Sequence, residues 1–140
     1  MELEKQVCSL ELAEKLKDLG VPQDSIFYWV RSDLGNMGVQ YVKAFVHQRR
    51  PPDTDTFEYL SAFTVAELGE MFPTTIYDQS GEYFLNLGAT SENIKYGNTR
   101  EFTVSYVGIE KDIIHIHEHT EADARAKILI YLIENKLIPI

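Results

Sequence analysis

Residues 120–137 read Thr120-Glu-Ala-Asp-Ala-Arg-Ala-Lys-Ile-Leu-Ile-Tyr-Leu-Ile-Glu-Asn-Lys-Leu137, and this stretch decides the fold. It predicts a helix capped by Thr120, with the acids Glu121 and Asp123 in the first turn, where the helix dipole favours negative charge. Apolar side chains fill one broad arc of the helical wheel: Ala122, Ala126, Leu129, Ile130, Leu132, Ile133 and Leu137. Such a helix must pack against a large apolar surface, and only the strand-rich segments before it can supply one.

The middle of the chain predicts this surface as an antiparallel β-sheet. Some runs alternate apolar and polar residues, and others are rich in aromatic and β-branched residues; both patterns predict strands. Three strands are predicted over residues 26–30, 39–47 and 57–63. A meander is predicted over residues 75–78, 82–87, 94–96, 101–107 and 113–117. Glycines and short polar residues predict the turns between strands, and the prolines of residues 48–56 predict a surface loop.

Two shorter helices complete the predicted fold. The first covers residues 9–19, with Ser9 as its N-cap and Gly20 just beyond its end. The second follows Thr64, which forms a capping box with Glu67. The predicted class is α+β: an antiparallel meander sheet packed by a long C-terminal helix, with two shorter helices.

Composition limits the classes of function. The chain has 140 residues, which fits a single α+β domain over residues 1–140. One cysteine, Cys8, and the lack of a long apolar run lead us to expect a cytoplasmic protein with no membrane partner. The 13 basic and 22 acidic residues give a net charge of −9, which disfavours nucleic-acid binding. Acidity spread evenly along the chain serves solubility and can also attract a basic partner.

Three segments together resemble a group of small uncharacterised proteins of bacteriophages, prophages and related mobile elements of bacteria. They are Val7-Cys-Ser-Leu-Glu-Leu-Ala-Glu-Lys-Leu-Lys-Asp-Leu-Gly-Val-Pro-Gln-Asp-Ser-Ile-Phe-Tyr-Trp29, Ser61-Ala-Phe-Thr-Val-Ala-Glu-Leu-Gly-Glu-Met-Phe-Pro73 and the C-terminal helix. The resemblance covers under half of the chain and implies a mobile-element origin and a bacterial cytosolic setting. It brings no catalytic residues, so it points to a shared fold and leaves the function open.

One histidine cluster is a candidate metal site. The sequence His115-Ile-His117-Glu-His119 would put its imidazoles on one face of a strand, and His-x-His on a strand can bind zinc or another transition metal. The same spacing also fits a solvated strand face, because Ile114 and Ile116 take the opposite, buried face. We favour that second interpretation, and we expect His119 to leave the strand as the chain enters the helix.

Residues 10–31 suggest a second hypothesis, a DNA-binding accessory protein. A helix, a Leu-Gly-Val turn and a second segment ending in Tyr28-Trp29 resemble a helix-turn-helix of the excisionase type. The second segment, however, has one basic residue and an aromatic, β-branched run that suits a strand. We therefore rank this reading as the alternative.

Aromatic side chains suggest a third hypothesis, a protein-binding surface. Tyr28, Trp29 and Tyr41 could form an exposed patch. Cys8 stands before a helix N-cap, where a thiol can be activated, but a small buried apolar residue is the commoner role. With no other catalytic motif in the sequence, we expect a non-enzymatic protein that binds another protein. A homo-oligomer is a further possibility.

Overall fold

The computed structural model describes residues 3–33, 39–46, 57–94 and 97–139, with side chains described throughout except at 31–33, 39–46, 57, 90–94 and 97–100. A 3₁₀ turn at Leu3–Lys5 precedes the main elements. The helices of these ranges are α1 (Leu10–Asp18), α2 (Val65–Met71) and α3 (Glu121–Glu134). The strands are β1 (Phe27–Asp33), β2 (Val39–Val46), β3 (Phe57–Ser61), β4 (Thr75–Asp78), β5 (Gly81–Ile94), β6 (Gly97–Val107) and β7 (Asp112–Glu118).

The strands form two antiparallel sheets. One has the order β2-β1-β3, and the other is a four-stranded meander with the order β4-β5-β6-β7. The predicted α+β class, with a meander, a long C-terminal helix and two shorter helices, is confirmed. The strands divide into two sheets where a single sheet was expected, because α2 follows β3 and the meander begins only after it.

β5 is longer than the sequence indicates. The strand expected over residues 82–87 continues to Ile94, where a second strand was expected to begin, and it pairs with β6 from Phe84 opposite Val107 to Ile94 opposite Gly97. Gly88 suggested an interruption, but a Cβ there would lie 2.7 Å from Thr103 Oγ1, so glycine permits the close approach of the two strands. The expected turn at residues 97–98 is therefore strand. Of the loop expected at 33–38, Asp33 is the last residue of β1, and residues 34–38 lie outside the described residues, as does the loop expected at 48–56.

The segment after α1 is a strand and not a recognition helix. β1 pairs antiparallel with both β2 and β3, so the strand predicted over residues 26–30 is confirmed and the alternative, a helix-turn-helix over residues 10–31, is wrong. The physical reason is the aromatic and β-branched run from Ile26 to Val30, which packs well in a sheet and poorly on an exposed helix. Tyr28 and Val30 are buried within it.

α3 is buried on nearly every side. It contacts β6 and β7 of the meander and also α1 and α2. Its buried residues are Ala122, Ala124, Ala126, Ile128, Leu129, Ile130 and Leu132. The predicted apolar arc was too narrow, because it left out Ala124 and Ile128. Each fully buried Leu or Ile contributes about 1.5–3 kcal/mol to folding, so α3 supplies a large share of the core.

Side chains cap the helices and join them to one another. Thr120 Oγ1 accepts the backbone N–H of Asp123 at 3.2 Å, and Thr64 with Glu67 forms the expected capping box on α2. Ser9, the N-cap of α1, makes no side-chain cap of its own. Its backbone N–H instead donates to Asp123 Oδ1 at 2.7 Å, so a side chain of α3 holds the start of α1. Burial raises the pKa of the Asp123 carboxyl above its ordinary value, against the opposing effect of that hydrogen bond.

Two substitutions of Asp123 separate its role as a hydrogen-bond acceptor from the energetic cost of burying its charge. Asp123→Ala removes the acceptor and should lower the free energy of unfolding by about 1 kcal/mol, as loss of a cap does. Asp123→Asn keeps an amide oxygen for the Ser9 N–H and should cost less. Urea unfolding of the wild type, Asp123→Ala and Asp123→Asn measures the loss in the free energy of unfolding for each variant.

The pH dependence of the same proteins tests the raised pKa. Because the pKa is raised in the folded state, the contribution of Asp123 to stability is complete below its unfolded pKa and is lost as the pH rises through its folded pKa. The stability of wild type relative to Asp123→Asn should therefore fall as the pH rises above the ordinary pKa of an Asp carboxyl, about 4. A difference that rises over this range would contradict the raised pKa.

Candidate protein-binding surface

Large apolar side chains stand on the outer face of the meander, near one end. Along β4 and β5 the residues alternate, so Ile76 and Tyr83 face the core and are each 2% exposed. Their neighbours Tyr77 and Phe84 face away from the core and are 66% and 51% exposed. Tyr77 lies opposite Glu82, and Phe84 lies opposite Thr75 on β4 and Val107 on β6. Two exposed aromatic rings therefore share this face.

The turn between β6 and β7 adds a third apolar side chain. Gly108 closes the turn by donating its N–H to the Lys111 carbonyl at 2.9 Å. A Cβ on Gly108 would lie 2.7 Å from that carbonyl and 2.8 Å from the Tyr83 ring, so only glycine fits. At the next position Ile109 is 98% exposed, and it lines a groove together with Phe84. We name Tyr77, Phe84 and Ile109 the sheet-end patch.

Hydrogen bonds fix the turn between β4 and β5 beside this patch. Asp78 Oδ1 accepts the backbone N–H groups of Ser80 at 2.7 Å and Gly81 at 3.1 Å, and Gly81 has a φ of 144°, which favours glycine. The Tyr77 hydroxyl donates to Glu82 Oε1 at 3.1 Å. This hydrogen bond, together with the charge of Glu82, raises the pKa of Tyr77. Hydrogen bonds thus hold the β4–β5 turn and the Tyr77 side chain, and preorganisation of this kind lowers the entropic cost of binding.

The charge next to the patch is mainly negative. The two turns cover residues 78–82 and 108–112, and they carry four carboxylates and one amine: Asp78, Glu82, Glu110, Asp112 and Lys111. All five side chains are exposed. An incoming molecule therefore meets an apolar centre with an acidic border.

The structure brings two of the three candidate histidines together. His115 and His117 lie on the outer face of β7 with ring centroids 4.5 Å apart, and His117 Nδ1 lies 3.6 Å from Glu101 Oε2. His119 follows the end of β7 and lines a different groove, with Thr64 and Phe102. Among the described residues, no group of three or more His, Cys, Asp or Glu side chains is arranged to hold a metal ion. Zinc or other transition-metal binding stays a prediction, with His119 apart from the pair.

The expected aromatic patch does not form at Tyr28. Its ring is fully buried, and its hydroxyl oxygen accepts the Ser25 backbone N–H at 3.1 Å. Trp29 is half-buried and donates its indole N–H to the Cys8 carbonyl at 2.9 Å. The side chain of Tyr41 lies outside the described residues. The exposed position expected for Tyr28 is wrong because it packs into the interior of the protein.

Cys8 is a core residue. Its side chain is fully buried, and burial raises the pKa of its thiol to about 12. The thiol therefore stays protonated at neutral pH, and it is out of reach of a substrate.

Comparisons with known proteins add no assignment to this geometry: no family model, curated protein or solved structure matches the chain. In the part of the chain that the structure describes, no helix is both long and apolar enough to cross a bilayer. The sheet-end patch is thus identified from its own geometry. The sequence held one signal for it, since Ile109 is an apolar residue inside a predicted turn.

Two substitutions in the β6–β7 turn compare the contribution to stability of Gly108, which packs against the core, with that of Ile109, which is exposed. Gly108→Ala forces a Cβ against the Tyr83 ring and the Lys111 carbonyl, and we expect a loss of about 1–3 kcal/mol in the free energy of unfolding. Ile109→Ala removes only exposed surface and should change stability by less than about 0.5 kcal/mol. Urea unfolding measures both variants, and equal stability of the two would contradict the packing described for Gly108.

Proposed function

We propose that this protein is a non-enzymatic protein of phage or prophage type that acts by binding another protein through the sheet-end patch. The observation that supports the proposal is the exposure of Tyr77, Phe84 and Ile109 on strands and turns that are fixed by hydrogen bonds. Exposed apolar clusters with a polar border are typical of protein-interaction sites, and aromatic side chains contribute strongly to such interfaces.

The same surface is less suited to the alternative function, DNA binding. The turns next to the patch carry more carboxylates than amines, and the whole chain has a net charge of −9. Phosphates of nucleic acid would be repelled by this charge. The segment that this alternative requires as a recognition helix contains β1. A protein partner therefore fits the described surface better.

Site-specific crosslinking in cells tests the proposal. A photoreactive benzoylphenylalanine replaces Ile109 in the full chain, which is expressed in the bacterium that carries the gene. We expect one dominant crosslinked protein, because Ile109 is almost fully exposed and belongs to the proposed interface. The matched control places the same residue at Glu70, an exposed position of α2 outside both turns, where that crosslink should be absent.

A second variant tests whether the crosslink depends on the sheet-end patch. Phe84→Ser removes the neighbouring aromatic ring and should reduce the yield of the crosslink at position 109, while thermal unfolding confirms that the variant is folded. The proposal fails if position 109 gives no crosslink to a protein, or if positions 70 and 109 capture the same proteins in equal yield.

A further inference from the structure

The two turns at the sheet-end patch point to the chemistry of its partner. We infer that the patch binds a basic amphipathic protein segment, in which an apolar side chain lies between Phe84 and Ile109 and flanking Lys or Arg side chains face the carboxylates. This inference rests on the proposed function. It adds the class of partner, which the exposure of the patch alone does not supply.

The carboxylates lie close to the apolar side chains. Glu82 and Phe84 are two residues apart on β5 and so lie on the same face of the sheet. Glu82 is also the cross-strand neighbour of Tyr77 and accepts its hydroxyl hydrogen bond. Glu110 directly follows Ile109 in the turn. Negative charge therefore borders each member of the patch.

The groove between the turns has room for an apolar side chain. Residues 80–84 and 108–111 line it, and its volume is about 370 Å³. Phe84 and Ile109 supply apolar walls, and Glu82, Glu110 and Lys111 are the charged side chains around it. A segment that inserts a Leu or Phe here brings its neighbouring side chains next to carboxylates. Positive charge on that segment is complementary, and negative charge is repelled.

The charge also decides against a second copy of this chain as the occupant. Two copies that met through this patch would form an isologous contact, in which both chains use the same surface. The four carboxylates of each copy would then enter one interface, with only the Lys111 of each copy to compensate their charge. An anionic lipid surface or a nucleic acid would meet the same repulsion. A basic protein segment meets none.

Two synthetic peptides with the same apolar pattern test the inference. Both carry Leu at helical i, i+3, i+4 and i+7 positions; one has Lys at the polar positions and the other has Glu. Binding to the full-length protein is measured by fluorescence anisotropy, and backbone amide shifts in NMR spectra locate the contact. We expect the Lys peptide to bind at least roughly tenfold more tightly than the Glu peptide and less tightly as salt is added, with shifts at residues 77–84 and 107–112.

Variants of the protein separate the apolar and charged parts of the site. The double variant with Phe84→Ser and Ile109→Ser should abolish binding of the Lys peptide. The double variant with Glu82→Lys and Glu110→Lys should reverse the preference, so that the Glu peptide binds more tightly. Glu70→Lys is the matched control, because it also reverses an exposed charge, and it should leave the preference unchanged. Thermal unfolding confirms that each variant is folded.

The results distinguish failure of this inference from failure of the proposed function. The inference of a basic partner would be overturned by equal binding of both peptides, by no binding of either, or by amide shifts located away from the two turns. A protein crosslinked at position 109 whose yield is unchanged by Glu82→Lys and Glu110→Lys would also overturn it, while leaving the protein-binding function in place. Absence of any such crosslink would overturn both.

Discussion

Burial of α3 is the constraint on which the rest of the structure depends. A helix with apolar side chains on almost every side cannot be stable at a surface, so it must be enclosed. The meander covers it through β6 and β7, and α1 and α2 also pack on it. Val104 and Tyr106 of β6 belong to the same buried core. The alanines at 122, 124 and 126 add little bulk, which lets neighbouring elements approach the helix axis closely.

Enclosure of α3 also determines which surface is left for a partner. The inner face of the meander is used by the core, so the period of two along β4 and β5 sends Ile76 and Tyr83 inward and Tyr77 and Phe84 outward. Gly108 packs against the Tyr83 ring, and this contact holds the turn that presents Ile109. The candidate binding surface is thus attached directly to the core. Its position follows from packing on the opposite side of the same strands.

Local signals were sufficient to predict much of the fold from the sequence. The caps at Thr64 and Thr120 and the α+β class depend on neighbouring residues or on simple periodicity, and the structure confirms them. Other features depend on distant partners. The unbroken β5 could not be predicted, because the pairing of Gly88 with Thr103 becomes evident only when β6 is beside it. Asp123 was expected only as an acid in the first turn of α3, and it also accepts the N–H of Ser9, which is 114 residues away in the sequence.

The candidate site was harder to predict than the fold. Aromatic residues at strand spacing suggest both core and interface, so the sequence favoured Tyr28 for exposure when Tyr28 is buried and Tyr77 and Phe84 are exposed. β4 and β5 carry apolar side chains on both faces, so the local pattern does not decide which face meets the core, and the packing of the whole core does. The histidines, in contrast, follow local signals. The spacing of His115 and His117 places them side by side, and His119 leaves the line of the strand, as expected from the helix that follows.

Hydrogen–deuterium exchange of the α3 backbone amides tests most directly whether this helix is the enclosed centre of the protein. If α3 is enclosed, its central amides exchange only when the whole protein unfolds, and their protection equals that of the central amides of β6. Exchange of α3 through a local opening, while β6 stays protected, would contradict the central role of its burial.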